Sequence, residues 1–294
     1  MPEKLYNKLK RLYLMATRLR DKPSSKKELM DLLEEHGLPI ESATFERDKK
    51  TLKDDFGLEL VYDPTHQKYA FEAVEASEIS QLIKFLQFSQ LSQALNANLS
   101  SSKRILNYID FENEYLLKGI ENLNELIIAT KNHQKIKFKH FSFQTRKTHS
   151  ITLQPYLIKQ TQSRWYVIGQ TSYGKLRTFG IDRITDLILT SDSFTPPKKD
   201  IKQIFDGCIG VSEYWKEKEL IQIAFHISQE PYLEHLPLHT SQKLVEKNEH
   251  EITFEYHLVN NFELRQSILK YGELARVVKP KKLVKMIHKF HAFE

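Results

Sequence analysis

The hydrophobic periodicity of this chain changes twice, and each change predicts a different kind of structure. Up to about residue 129, apolar residues recur every three to four positions, which predicts helices with one hairpin among them. From residue 135 to about residue 191 they alternate with polar residues, which predicts short strands. The last hundred residues mix both patterns. The 294 residues are therefore predicted to form an α+β protein of two or three domains.

The first 72 residues are predicted to form three helices followed by a hairpin. Ser25 and Glu28 have the spacing of a capping box at the start of the second helix. Gly57 ends the third helix, and two short strands follow around a turn at residues 63–64. This order is the layout of a winged helix-turn-helix, in which the third helix would lie in the major groove of DNA.

Five polar residues of the third helix are candidates for DNA contact. They are Thr44, Arg47, Lys49, Lys50 and Lys53. Lys and Arg suit phosphates, and Arg also pairs with guanine edges. The alternative is an ordinary solvated helix face, since four acids on the same helix balance its cations. Arg47 is the weaker candidate for base contact because it could pair with Asp48. The order of elements favours the DNA-binding interpretation.

Positive charge is concentrated in one part of the chain. The net charge is +6, yet residues 130–185 contain eleven Lys or Arg and one acid, Asp182. A solvated surface usually mixes the two signs, so this segment indicates an anionic ligand. We expect its cations to face a shared hollow that holds phosphate groups. The short strands of the segment predict a small β-barrel.

The strongest candidate for a ligand site lies in segment 164–184. If the chain is extended from Arg177 to Arg183, these two residues and Phe179 share one face. Two guanidinium groups with an aromatic ring between them suit a dinucleotide or a short oligonucleotide. The alternative is that the aromatic residues belong to the core and that Arg183 pairs with Asp182.

Catalytic and metal chemistry are not indicated. Segment 169–175 resembles a phosphate-binding loop but lacks the Ser or Thr after its lysine, so we expect a hairpin turn there. His235 and His239 are separated by a proline, which makes a helical metal pair improbable. Cys208 is the single cysteine, which fits a reducing, cytosolic compartment. We expect no enzymatic activity, cofactor or metal, and no apolar run is long enough for a membrane helix.

The remaining segments are predicted to connect domains and to dimerise. Residues 73–129 are acidic and helical, with a Ser- and Asn-rich break at 96–102. Residues 218–294 alternate strands and helices in a way typical of a ferredoxin-like unit. The predicted domains are 1–72 (winged helix-turn-helix), 73–129 (helical linker), 130–195 (barrel), 196–217 (linker) and 218–294 (carboxy-terminal extension).

Three of these segments resemble the WYL-domain family of bacterial transcription regulators. The family signature Trp-Tyr-Leu corresponds to Trp165-Tyr166-Val167, and an Arg-x-Phe-x-x-Asp-Arg-Ile pattern follows at Arg177–Ile184. Thr44–Asp48 is similar to the recognition helix of the family, and Leu264–Leu283 is similar to its carboxy-terminal extension. The sequence departs from the family pattern at His140, where tyrosine is usual, and in the valine of the signature.

The resemblance implies a homodimeric DNA-binding regulator, most simply a repressor, that binds an inverted repeat in double-stranded DNA. Its Sm-like barrel would sense a nucleotide or short nucleic acid, and its carboxy-terminal extension would help dimerisation. Several relatives of this layout control anti-phage defence genes. The ligand-binding residues that we assign on this basis are His140, Ser142, Tyr166, Arg177, Phe179 and Arg183. Histidine at position 140 either makes ligand binding pH-sensitive or indicates a changed pocket.

Two other functions stay open at the level of sequence. One is a nucleic-acid-sensing accessory subunit that modulates a partner enzyme and uses residues 1–72 only as a protein interface. It predicts ligand binding without sequence-selective binding of duplex DNA. The weaker alternative is an enzyme that acts on RNA or nucleotides. Binding to the DNA upstream of the protein's own gene discriminates between these functions.

Overall fold

The computed structural model describes residues 2–72, 74–99 and 118–291. The chain divides into two compact units, Met1–Phe111 and Glu112–Glu294. The first is mainly helical and the second is built around two antiparallel sheets, which confirms the α+β prediction. No helix in the described ranges is both long enough and apolar enough to cross a bilayer.

The first unit begins with the three predicted helices and the hairpin. Its elements are α1 (Pro2–Asp21), α2 (Lys26–Glu35), α3 (Ser42–Phe56), β1 (Leu60–Asp63), β2 (Lys68–Phe71) and α4 (Ala76–Leu99). The capping box is confirmed, because the Ser25 hydroxyl accepts from the Glu28 N–H and the Glu28 carboxylate accepts from the Ser25 N–H. Gly57 ends α3 at a φ of 70°, a left-handed conformation that glycine adopts without strain.

One apolar core holds the first unit together. Leu12 and Met15 of α1 are fully buried against Leu29 of α2 and Phe45 of α3. Four residues of α4 join the same core: Ile79, Leu82, Ile83 and Leu86. The backbone of Ser24 exchanges two hydrogen bonds with that of Tyr69, which fixes the hairpin to the turn before α2.

Helix α4 is longer than its sequence predicts. It continues through the first residues of the predicted Ser- and Asn-rich break and ends at Leu99. The rest of that break and the helical sequence predicted up to residue 117 lie outside the described residues.

A five-stranded antiparallel sheet forms the first half of the second unit. Its elements are α5 (Leu123–Lys131), β3 (Gln134–Ser142), β4 (Lys147–Thr161), β5 (Arg164–Thr171), β6 (Leu176–Gly180) and β7 (Ile184–Ser193). The strand order is β6-β5-β4-β3-β7. The two edge strands are consecutive in the chain and are joined only by a 3₁₀ turn at Ile181–Arg183. The sheet is therefore strongly curled, because its two edges meet at this turn.

Two local predictions for this sheet have different outcomes. The strands predicted separately before and after Pro155 are a single strand, β4, with a register shift between Pro155 and Leu157. Such a bulge tolerates the missing N–H of proline. The hairpin turn predicted at 169–175 is confirmed, since the Gly174 N–H donates to the Thr171 carbonyl.

The second sheet lies in the carboxy-terminal part of the same unit. Its elements are β8 (Lys218–His226), α6 (Glu230–His235), β9 (Lys243–Lys247), β10 (Glu251–Val259), α7 (Phe262–Leu269), β11 (Ala275–Lys279) and α8 (Lys281–His291). The strands are antiparallel in the order β11-β8-β10-β9. Helix α6 has no counterpart among the sequence predictions. Side chains of all three helices contribute to the core of this sheet, among them Leu233, Leu264 and Leu283.

Segment 196–217, predicted as a linker, contributes an apolar cluster of its own. Ile201, Phe205, Cys208 and Val211 are buried together with Ile168 of β5 and Val259 of β10. The cluster thus joins the two sheets within the second unit. Burial raises the pKa of the Cys208 thiol to about 11, so the thiol is unreactive at neutral pH.

Candidate functional site

Helix α3 is held against α1 by a nearly buried ion pair. Arg11 Nε lies 2.6 Å from Asp48 Oδ2, and Arg11 Nη2 lies 3.1 Å from Asp48 Oδ1. The Asp48 side chain is only 3% exposed. The prediction that Asp48 could pair with Arg47 is therefore wrong, because its partner is on another helix. The ion pair fixes which face of α3 points to solvent.

Two of the five predicted DNA-binding residues are engaged within the protein. Lys49 pairs with Glu46 at 2.9 Å, and its ammonium group lies 5.3 Å from the centre of the Tyr69 ring. Lys53 pairs with Glu59 at 2.5 Å. Binding a phosphate through either lysine would compete with these contacts.

The other predicted cations of α3 are more available. Arg47 is exposed and forms no ion pair with any described residue. The side chain of Lys50 is 77% exposed, and its distance of 3.9 Å to Asp54 is at the limit of an ion pair. Thr44 is half-buried in the first turn of the helix. Arg47 and Lys50 are thus the cations of α3 that best fit a DNA backbone or base edge.

The predicted ligand residue His140 is buried on β3 between aromatic rings. The centre of its imidazole lies 5.1 Å from that of Phe179 and 6.5 Å from that of Phe138. Its Nε2 atom has no hydrogen-bond partner among the described residues. Burial lowers the pKa of His140 from its ordinary value of 6.5 to about 4, and the nearby positive charge of Arg183 acts in the same direction. The imidazole is therefore neutral at pH 7.

Arg183 lies at the same place, at the end of the 3₁₀ turn. Its guanidinium carbon is 4.5 Å from the centre of the Phe143 ring, a cation–π contact. Arg183 Nε is buried without a hydrogen-bond partner in the described residues and lies 3.7 Å from Asp182 Oδ1. Asp182 also binds Arg164 at 3.2 Å. We call His140, Phe143, Phe179 and Arg183 the His140 cluster.

The loop that carries Phe143 is a tight turn between β3 and β4. The Ser142 hydroxyl accepts from the backbone N–H of Thr145, so this predicted ligand residue stabilises the turn. Thr145 in turn bonds to His149, which lies opposite His140 in the β3–β4 register. Phe143 is 58% exposed and stands over the guanidinium of Arg183. The cluster therefore offers one cation, one neutral imidazole and an exposed aromatic ring.

Arg177 and Tyr166 are not part of the His140 cluster. Strand β6 ends at Gly180 and the chain then turns, so the expectation of an extended Arg177–Arg183 face is wrong. Arg177 is exposed near Tyr214. Tyr166 packs against the buried cluster of segment 196–217. Phe179 is 8% exposed and belongs to the apolar core beneath the five-stranded sheet, in agreement with the alternative interpretation of the sequence.

The expectation that the cations of residues 130–185 face one shared hollow is also wrong. Several of them form ion pairs at separate places: Arg164 with Asp182, Lys139 with Asp186 and Lys135 with Asp192. Two shallow depressions of the surface are lined by residues 248–251 and by Leu238, Ser267, Lys270 and Tyr271, and neither includes a predicted ligand residue.

Sequence reasoning missed three residues that shape these sites. Phe143 follows strand β3 by one residue. Only its position in the hairpin turn, three residues after His140, could have indicated that it lies near the ligand site. Arg164 pairs with an acid 18 residues away, and Arg11 pairs with one 37 residues away. Such partners depend on how the helices and strands pack and leave no local pattern.

A comparison with protein families identifies the domain that contains the His140 cluster. Residues 121–189 match the WYL domain. Residues 121–189 therefore form a WYL domain within this chain. The matched range includes α5 and most of the five-stranded sheet, so every residue of the His140 cluster lies in the WYL domain. The family resemblance seen in the sequence is confirmed.

Two solved structures illustrate how far the similarity extends. Proteasome accessory factor B/C (PafBC) of Arthrobacter aurescens is 18% identical, with a TM-score of 0.30; the match covers 96% of this chain and 45% of PafBC. A protein described as CRISPR Cas-related is 11% identical, with a TM-score of 0.41, over 86% of this chain and 72% of that protein. The chain thus spans less than half the length of PafBC. No curated protein matches the sequence.

Proposed function

We propose that this WYL-domain protein is a DNA-binding transcriptional regulator controlled by a nucleotide or short nucleic acid. The observation that carries the proposal is the orientation of α3. Because Asp48 is turned inward to Arg11, Arg47 and Lys50 remain exposed on the opposite side of the helix. A helix with exposed cations on one face, attached to a ligand-sensing domain, suits control of transcription.

In this proposal, residues 1–72 act as a winged helix-turn-helix and the β1–β2 hairpin is the wing. The backbone bonds between Ser24 and Tyr69 support it, since they hold the hairpin beside α2 and α3. Residues 130–195 act as an Sm-like barrel and 218–294 as a ferredoxin-like extension that dimerises. The homodimer represses its target, as for regulators of anti-phage defence genes, by binding an inverted repeat.

The His140 cluster is the proposed effector site. Two buried polar atoms, His140 Nε2 and Arg183 Nε, lack hydrogen-bond partners among the described residues, which is costly unless a ligand or water supplies them. The guanidinium of Arg183 suits a phosphate, and the exposed ring of Phe143 suits a base. A nucleotide would satisfy all three groups at once.

DNA binding is tested by fluorescence anisotropy with the duplex upstream of the protein's own gene. The variant Arg47→Ala/Lys50→Ala should weaken binding at least tenfold and reduce the salt dependence by about two units of the log–log slope for each bound protomer. Lys53→Ala is the matched control, because Lys53 lies on the same helix but pairs with Glu59. If neither this duplex nor a selected DNA pool is bound at moderate salt, the regulator proposal fails.

The effector site is tested with Arg183→Ala. This variant should bind the operator normally but no longer respond to nucleotides, whereas Lys139→Ala, which removes a lysine paired with Asp186, should respond like the wild type. Circular dichroism checks that the variant is folded, and Arg183→Lys retains the charge if it is not. A folded Arg183→Ala protein with an intact response would move the site elsewhere.

The accessory-subunit alternative has one observation in its favour. Four acids on α3 balance its four cations, so the helix as a whole carries no excess positive charge. In that case the first unit would contact a protein and the duplex would not be bound selectively. The anisotropy experiment separates the two functions, because only the regulator prefers its own upstream DNA to a scrambled duplex of the same length.

A further inference from the structure

The most unusual exposed side chain of the second unit is Trp215. It is 67% exposed, although tryptophan is the largest hydrophobic side chain and is normally at least half covered. It lies in the short segment between the 3₁₀ turn Lys202–Phe205 and strand β8. An isolated exposed aromatic residue is common on a mobile loop, but the loop that carries Trp215 is held by other parts of the protein.

The backbone just before Trp215 is tied down by side chains of α7. The carboxylate of Glu263 accepts hydrogen bonds from the backbone N–H groups of Val211 and Ser212 at 3.1 and 3.0 Å. Arg265 is nearly buried and donates to the Glu213 carboxylate at 3.1 Å. The chain around Trp215 is therefore held in one conformation, and an aromatic ring presented in this way loses little entropy on binding.

Tyr214 connects Trp215 to Arg177. The rings of Tyr214 and Trp215 are 5.2 Å apart and nearly perpendicular. The Tyr214 hydroxyl donates to the Leu176 carbonyl oxygen at 2.9 Å, and the Arg177 guanidinium lies 3.5 Å from the same oxygen. Arg177 is exposed and has no ion pair in the described part of the chain. A cation, a phenol and an indole thus form a row, called the Trp215 surface below.

We propose that the Trp215 surface is a second nucleic-acid contact, in which Trp215 stacks on a base of a single strand and Arg177 binds a neighbouring phosphate. This inference rests on the proposed function only in taking nucleic acid as the ligand. The surrounding charge favours a phosphate: the nearby acid Glu213 is already held by Arg265 and Lys216. Base stacking on an aromatic ring is tolerant of sequence, so this contact would add affinity without specificity.

The same exposed tryptophan would also suit a protein interface, where Trp and Arg are frequent anchors. The two occupants make different demands. An interface buries the ring in a second chain and depends on protein concentration, whereas a stacked base quenches the indole fluorescence in proportion to the oligonucleotide added. The chain has only two tryptophans, Trp165 and Trp215, so each can be observed alone.

The test uses the full chain and a ten-nucleotide oligodeoxythymidylate. In the Trp165→Phe protein, where Trp215 is the single indole, the oligonucleotide should quench the fluorescence. In the matched Trp215→Phe protein it should not. Trp215→Ala should weaken binding about 5- to 150-fold, which corresponds to loss of one stacked base. Arg177→Ala should weaken binding and lower its salt dependence. If Trp165→Phe does not fold, the wild type compared with Trp215→Phe gives the same answer.

Three results would overturn the inference. The first is unchanged affinity in Trp215→Ala while Arg183→Ala loses binding, which leaves the proposed function intact. The second is equal quenching by tripolyphosphate, which has charge but no base. The third is a fall in the molecular mass of Trp215→Ala by sedimentation, which assigns the ring to a contact between two copies of the chain. If Trp215→Ala and Arg183→Ala both bind the oligonucleotide as tightly as the wild type does, the inference and the proposed effector site are both contradicted.

Discussion

Protonation of His140 should destabilise the second unit at mildly acidic pH. Burial and the charge of Arg183 hold the pKa of His140 at about 4 in the folded protein, whereas a histidine in the unfolded chain titrates near 6.5. Asp182 opposes this shift and His149 adds to it. Between these two pH values the unfolded state binds more protons than the folded state. The free energy of unfolding must therefore fall as the pH falls from about 6.5 to about 4.

The size of the effect follows from the two pKa values. At pH 5 nearly all unfolded molecules carry the proton, but only about one folded molecule in ten does, which lowers the free energy of unfolding by about 2 kcal/mol relative to pH 7.5. Other groups titrate in the same range. Comparison with His140→Leu, which has no ionisable group at this position, removes their contribution.

The measurement is urea unfolding of the wild type and of His140→Leu at pH 7.5 and pH 5, followed by tryptophan fluorescence. Both tryptophans lie in the second unit, so the signal reports on the unit that contains His140. The stability difference between the two proteins should change by about 2 kcal/mol between the two pH values. A difference that stays constant with pH, or an NMR titration of His140 centred near pH 6.5, would refute the reasoning.

Ligand binding should reverse part of this effect. A phosphate beside Arg183 would favour the imidazolium form and raise the pKa of His140, so binding is coupled to proton uptake. The affinity for a thymidine dinucleotide should therefore increase as the pH falls from 7 to 5. Isothermal titration calorimetry in buffers of different ionisation enthalpy measures the uptake. His140→Leu should bind with no such pH dependence.

Two further predictions concern stability. Asp48→Asn leaves the Arg11 guanidinium without its partner and should cost about 3 kcal/mol, measured by urea unfolding with far-UV circular dichroism; a cost below about 0.5 kcal/mol would show that the ion pair does not hold α3. Gly119→Ala should cost about 3 kcal/mol or more, because φ is +83° and the new Cβ would lie 2.2 Å from the Ile181 carbonyl oxygen. Gly37→Ala is the matched control: φ is +72° but no atom lies within 4 Å, so it should cost only about 1 kcal/mol.

Local signals in the sequence predicted most of the secondary structure. The capping box at Ser25, the left-handed glycine at Gly57 and the turn at Gly174 each depend on residues within a few positions of one another, and each is present. Pro155 misled the prediction because a bulge allows a proline inside a strand. Helix α6 was missed because it has only six residues, too few to show a period.

The candidate sites were predictable only in part. Of the six assigned ligand residues, the structure brings together His140, Phe179 and Arg183 and places Arg177 elsewhere. The reason is the 3₁₀ turn after Gly180, which ends the alternation on which the prediction relied. The sequence also could not show which cations of α3 are available for DNA contact, because Asp48 pairs with Arg11 of α1 and not with Arg47.

By itself the sequence determined the α+β class, the order of most helices and strands, and the presence of a WYL domain, since these depend on periodicity, short-range caps and a contiguous motif. Tertiary structure alone decided which charges are free and which rings meet. Arg47, Arg177 and Trp215 are exposed because other residues, distant in the chain, take up the neighbouring acids and hold the backbone. Whether a charge or ring is available to a ligand depends on this packing, and the pattern of residues along the sequence does not show it.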